Sequence, residues 1–271
     1  MKFIPKELRD NVNVSPRSPL KEFLLLLSFI LGIIILVYIG LGFCLEFIVP
    51  RLPKEIEVHL GRVYSNKIKE IQEKEFIEIK LQLQKILDNL VQKSELFKEP
   101  FKVYITSFPE ANAFALPGNN IIVTTTLIKE LSSEDTLAFV LAHELGHFAN
   151  HDHLRGLGRG LVLLMFSATL FGMDSSVSNF LNNSLQNVEM KFSQKQEIKA
   201  DLFGLELLNK TYGHVGGAVE FFEKLEKKEK IPKFLYFFAS HPYSLNRLNI
   251  IKKEIARKGY LIKETTPLKK F

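Results

Sequence analysis

The sequence predicts a mainly helical domain with a small β-sheet, an α+β arrangement, behind one N-terminal transmembrane helix. Three observations carry this. Residues 23–43 contain no charged side chain, a run long enough to span a bilayer as a helix. Apolar residues recur at helical spacing further on, as in Ile68, Ile71, Ile79, Leu83, Ile86, Leu87 and Leu90. Short β-prone runs are confined to residues 101–125, where Pro117-Gly118-Asn119-Asn120 marks a turn.

The elements follow in order. Residues 1–22 are polar, are punctuated by Pro5, Pro16 and Pro19, and read as a tail. The apolar run 23–43 is too long for the core of a signal peptide, and no small-x-small cleavage site follows it, so it reads as a retained anchor. Lys2, Lys6, Arg9, Arg17 and Lys21 precede it and Arg51 and Lys54 follow, a bias that places the N-terminus in the cytoplasm and the remainder outside, which is the periplasm if the cell is Gram-negative. Pro50 and Pro53 open a linker over 44–64. The folded domain is expected over 65–258, beginning with an amphipathic helix to about Gln92. Residues 101–105 alternate as a strand, and the runs 111–116 and 121–125 form a hairpin. Ser132-Ser133-Glu134-Asp135 caps the next helix.

The apolar run 161–173 is short for a span; it reads as a buried or membrane-skimming helix, with a re-entrant segment as the rival. Residues 175–184 read as a loop. Helices are then expected from Glu189 to about Lys210, over 218–230 and over 245–258, with Ala239-Ser240-His241-Pro242 as a loop before the last. Residues 259–271 form a basic tail.

Composition narrows the partners. Net charge is +6, and residues 252–271 hold seven Lys/Arg against two Glu, so most of the excess sits at the C-terminus. No nucleic-acid motif accompanies it, so no nucleic-acid partner is expected; a solvated helix end or contact with anionic lipid fits better. The lone Cys44 excludes an internal disulfide and a cysteine-ligated metal. No feature specifies an oligomeric state.

The chemistry is concentrated in His143-Glu144-Leu145-Gly146-His147, inside an apolar helix-favouring run. Residues four apart lie one above the other on a helix, so two imidazoles address one point, the spacing a tetrahedral zinc accepts. Glu144 leans toward the same cleft, placed to take a proton from water there. A third ligand is needed, and Glu197 on the later helix is the best candidate, with Asp201 one turn on. A carboxylate at 201 can hold the outer nitrogen of an imidazole ligand and fix its tautomer. His151 and His153 read as surface residues at the exit of the helix, and His214 as a loop residue. Phe234, Tyr236, Phe237 and Phe238 read as core. For His241 the residues alone leave an exposed loop histidine and a site residue equally weighted.

His143-Glu144-x-x-His147 followed by Glu197-x-x-x-Asp201 resembles the gluzincin metallopeptidases, and finer detail resembles the M48 family of zinc metallopeptidases. Asn112-Ala113-Phe114-Ala115-Leu116-Pro117-Gly118 is similar to that family's segment ahead of the zinc helix. Glu197-x-x-Ala200-Asp201-x-x-Gly204 is similar to its third-ligand helix, and Ser240-His241-Pro242 with Arg247 to its late motif. Asn119, and Thr126 before Leu127, depart from the usual glycines. Its HtpX-like members have several membrane spans, whereas one clear span is found here, as for a smaller, single-anchor member.

The resemblance implies one Zn2+ per subunit held by His143, His147 and Glu197, and a polypeptide substrate. It makes Glu144 the general base, His241 an oxyanion donor, Arg247 an organiser of the late loop, and Asn112, Ala113 and Phe114 a substrate edge. The expected function is metalloendopeptidase action in membrane or envelope protein quality control. The rival is a zinc-binding, membrane-associated chaperone or scaffold with an idle protease site.

Overall fold

A computed structural model describes residues 18–66, 68, 74–131, 133–160, 192–227, 241 and 245–268. The chain divides at Cys44/Leu45 into two units. The first consists of most of α1 (Pro19–Ile48). Thirty residues at 1.5 Å each reach about 45 Å, more than a hydrocarbon core of about 30 Å. Its apolar side chains stand exposed, Leu25 at 73% and Leu36 at 72%. Among the described residues this is the one helix long and apolar enough to cross a membrane. It starts inside the expected tail because Pro19 suits a first helical turn, where its missing N–H is not needed. It ends in a 3₁₀ turn, Val49–Arg51, at Pro50.

The second unit begins with α2 (Lys54–Ser65), a helix where the sequence suggested a linker. Pro53 lies at its N-cap, so the proline that reads as a break also starts the next helix. Then come α3 (Lys74–Ser94), β1 (Lys102–Thr106), β2 (Ala113–Leu116), β3 (Asn120–Thr124), α4 (Thr125–Glu130) and α5 (Glu134–Ala149). Residues 152–160 are helical. After the gap in description come α6 (Gln194–Tyr212), α7 (Gly216–Lys227) and α8 (Leu245–Lys258). The expected run 161–173, the loop 175–184 and the aromatics at 234–238 lie outside the described residues.

The three strands form one sheet in the order β1-β3-β2, with β1 parallel and β2 antiparallel to β3. The hairpin closes as the turn residues require: Gly118 and Asn119 both take positive φ, 76° and 61°, which glycine and asparagine tolerate best. Alternate residues of β1, Val103 and Ile105, face the core, as do Ile79, Leu83, Ile86, Leu87 and Leu90 of α3. The strand expected to run to Thr125 stops at Thr124, whose hydroxyl accepts the Leu127 N–H and caps α4.

α5 runs through the middle of this core. Every residue from Asp135 to Phe148 is buried, so the helix is enclosed on all sides, with its polar residues buried as well. Ser133 caps it, its hydroxyl accepting the Thr136 N–H at 3.1 Å. The C-terminal segment does not trail free. Thr266 N–H donates to Asp135 Oδ2 (2.7 Å), Pro267 bridges to Ser133, and Leu268 is buried. α6 begins five residues later than expected. Ser193 and Gln196 form a reciprocal capping box there, and Gly213 ends the helix at φ 71°.

Candidate metal centre

The site is built where α6 crosses α5. Gly146 makes the crossing close: a Cβ on it would lie 2.8 Å from Ala200 Cα. Gly204 does the same on α6, where a Cβ would lie 3.0 Å from the His143 nitrogen. Two small residues thus let the backbones touch, and ligands on both helices can reach one point.

That point is a tight cluster. His143, His147, Glu197 and His241 each offer a donor atom, all within 4.8 Å of one another and all buried. His143 Nε2 and His147 Nε2 are 3.2 Å apart. Glu197 Oε2 is 3.6 Å from His143 Nε2, and Oε1 is 3.4 Å from His147 Nε2. Tetrahedral bonds of about 2.0–2.1 Å place ligand atoms about 3.3–3.4 Å apart, so spacings of this size, with either Glu197 oxygen on offer, are compatible with one such ion. His241 Nδ1 lies near the fourth corner, 3.3 Å from His143 Nε2 and 3.1 Å from Glu197 Oε1. Its Nε2 is 3.4 Å from the Ala113 carbonyl oxygen and 3.5 Å from Glu144 Oε1.

Charged groups hold these donors. Asp201 Oδ1 is 2.9 Å from His143 Nδ1. Arg247, buried on α8, donates from Nε and Nη2 to the two Asp201 oxygens (2.7 and 2.8 Å), and its Nη1 pairs with Glu197 Oε2 at 2.7 Å. Such a bidentate fork fixes the carboxylate plane. Burial alone would raise the Asp201 carboxyl, but the Arg247 guanidinium and His143 together outweigh it and hold its pKa below the ordinary value. Glu197 is likewise well below the ordinary range against burial, through His241 and His147. Burial pushes His143 down, whereas for His147 Asp152 and Glu197 outweigh burial and hold it up at about 9.

Glu144 stands apart. It is fully buried, and neither carboxylate oxygen has a hydrogen-bond partner among the described residues. A buried carboxylate without partners costs free energy, which native chains tolerate mainly at working sites.

The remaining sequence candidates fall as follows. β2 is an edge strand, and Ala113 brings its carbonyl beside His241. Asn112 exchanges hydrogen bonds with Thr124, its amide with the side-chain oxygen and its carbonyl with the N–H. Phe114 is half-buried. His153 is not at the surface: it is fully buried, and its Nε2 lies 3.1 Å from Glu57 Oε1 on α2. Its partner is 96 residues away, so no local pattern could reveal the pair. His214 lies 3.3 Å from Asp135.

Two site residues escaped the sequence reading. Asp152, buried, sets Oδ2 3.1 Å from His147 Nδ1. Phe192 stacks on the His147 ring at 3.9 Å and 17°. A carboxylate five residues past His147 was the available signal for the first; for the second there was none.

Comparison with known proteins gives the same answer as the geometry. The family model "Peptidase family M48" matches residues 79–255. The mitochondrial metalloendopeptidase OMA1 of Schizosaccharomyces pombe is 28% identical over 177 residues, 64% of this chain and 52% of that protein. The beta-barrel assembly-enhancing protease of Yersinia pestis is 26% identical over 176 residues, 60% of this chain and 36% of that one. OMA1 of Arabidopsis thaliana is 32% identical over 129 residues, 47% and 26% of the two chains. The match spans about half or less of the length of these curated relatives. On a match covering well over half of its residues and a buried His-His-Glu cluster of metal-site geometry, the chain belongs to peptidase family M48.

Proposed function

We propose that this chain is a zinc-dependent metalloendopeptidase anchored in a membrane by α1. The observation that carries the reading is Glu144: buried, its oxygens without a hydrogen bond among the described residues, one residue along α5 from the His-His-Glu cluster. His143, His147 and Glu197 hold the ion, a mixed nitrogen and oxygen set that suits zinc. When bound, zinc supplies Lewis-acid activation of water at neutral pH and polarises a carbonyl.

The chain's own groups do the rest. Glu144 receives the proton of the attacking water and passes it to the departing amine. His241, whose Nδ1 lies 3.3 Å from His143 Nε2, would donate a hydrogen bond to the developing negative charge beside the cluster. Arg247 keeps Asp201 and Glu197 in place and reaches the His241 carbonyl oxygen at 3.5 Å. An extended polypeptide lies beside β2, an edge strand of the sheet, near Asn112, Ala113 and Phe114.

The names of the relatives support peptide-bond hydrolysis, and together with α1 they favour membrane or envelope proteins as substrates. The basic residues ahead of α1 favour a cytoplasmic N-terminus and a catalytic domain outside. Labelling of an introduced domain cysteine before the membrane is opened supports this orientation, and labelling only after lysis of the inner membrane reverses it.

Chelation tests the function directly. Treating the detergent-solubilised chain with a strong chelator is expected to abolish casein cleavage and lower Tm, and stoichiometric zinc restores both. Cleavage that survives complete removal of metal contradicts the proposal.

A further inference from the structure

We propose that Asp152 is a positioning residue that fixes the tautomer of His147 and ties together the two helices carrying the ligands. The inference rests on the metal-centre reading above. It follows from a chain of hydrogen bonds whose direction is set at one end by the backbone.

Ser193 N–H can only donate, and it donates to Gln196 Oε1 at 2.9 Å. This fixes which way the Gln196 amide points. Its NH2 then faces Asp152 Oδ1 at 2.7 Å, and that oxygen must accept. Arg155 Nη1, 3.4 Å from the same oxygen, is also a donor. Asp152 therefore presents an accepting Oδ2 to His147 Nδ1 at 3.1 Å. An imidazole that donates from Nδ1 keeps its lone pair on Nε2, the atom that faces His143 Nε2 and Glu197 Oε1.

The backbone is shaped to make this return. α5 stops at Ala149, Asn150 caps it, and its side-chain amide donates to the Gly146 carbonyl at 2.8 Å. His151 then takes a positive φ of 54°, an uncommon conformation for a side chain of its size. The turn reverses the chain so that the first residue of the next helical stretch points back at His147. Arg155 Nη1 closes the turn on the Asn150 carbonyl.

The other end of the network sits one residue before a ligand. Gln196 precedes Glu197 on α6, so one carboxylate holds the second histidine of α5 and steadies the start of the third-ligand helix. The arrangement parallels Asp201, which holds His143 and is itself held by Arg247. Each imidazole thus has its own acceptor, and each acceptor has donors on its far side.

Asp152→Asn is the discriminating variant, because it keeps the volume. Its single oxygen would take the Gln196 donor, leaving an NH2 facing His147 Nδ1. The stable partner for that NH2 is the opposite tautomer, with its hydrogen on Nε2. Zinc affinity of the full-length, detergent-solubilised chain, read by competition with a chromophoric chelator, is expected to fall about 10–100-fold. The visible absorption of the cobalt-substituted protein should shift, a change that loss of stability alone would not produce. Gln196→Leu, which leaves Asp152 in place, should lose affinity in the same direction and less. Affinity within twofold of wild type in both variants overturns the proposal, as does a drop in metal-free Tm with affinity intact. A wild-type chain that holds no zinc overturns it as well, and that result alone removes the metal-centre reading.

Discussion

Replacing Glu144 by Gln is expected to abolish peptide cleavage while leaving the metal in place. Gln has the same shape but cannot take a proton from water at neutral pH. Proton transfer by a placed side chain contributes about 10²–10⁴-fold, so the casein cleavage rate should fall by at least that factor. Glu144 is no part of the ligand triangle, so zinc content should stay at wild-type level. Unchanged cleavage would take Glu144 out of the mechanism. A zinc-loaded wild type that cleaves no more than the variant would favour the scaffold alternative.

Glu197→Ala should have the second large effect, on metal retention. It removes the one carboxylate of the four-residue cluster and a proposed ligand, and leaves only the imidazoles of His143, His147 and His241, so zinc should be held more weakly through gel filtration. Zinc per purified chain is expected to drop from about one to a small fraction. The loss should not come from a collapsed fold, because Arg247 keeps both of its contacts to Asp201. Circular dichroism and a cooperative melt check that point. Wild-type stoichiometry in a folded Glu197→Ala protein would disqualify it as a ligand.

The parts of this site that could be read from residues are those whose geometry is local. His143 and His147 share a helical face by spacing alone, and so do Glu197 and Asp201. The hairpin turn was legible because Gly118 and Asn119 tolerate positive φ, and the start of α5 because Ser133 is an N-cap type. The parts that could not be read depend on what meets what across the chain. His153 looks like a solvent-facing residue until α2 brings Glu57 to it. α2 itself was hidden between prolines that read as breaks. The basic C-terminal residues look solvated, yet Thr266 and Leu268 are docked by Asp135 and the core. Asp152 was passed over because its role exists only after a positive-φ turn at His151 swings it back onto His147.

Zinc-edge X-ray absorption on the chain purified in detergent decides whether His143, His147 and Glu197 grip one divalent ion. The expected spectrum has nitrogen and oxygen neighbours at about 2.0–2.1 Å with the outer-shell scattering of imidazole. That signal should vanish in His143→Ala/His147→Ala. A purified wild-type chain without bound zinc, or an imidazole signal that persists in the double variant, would contradict it.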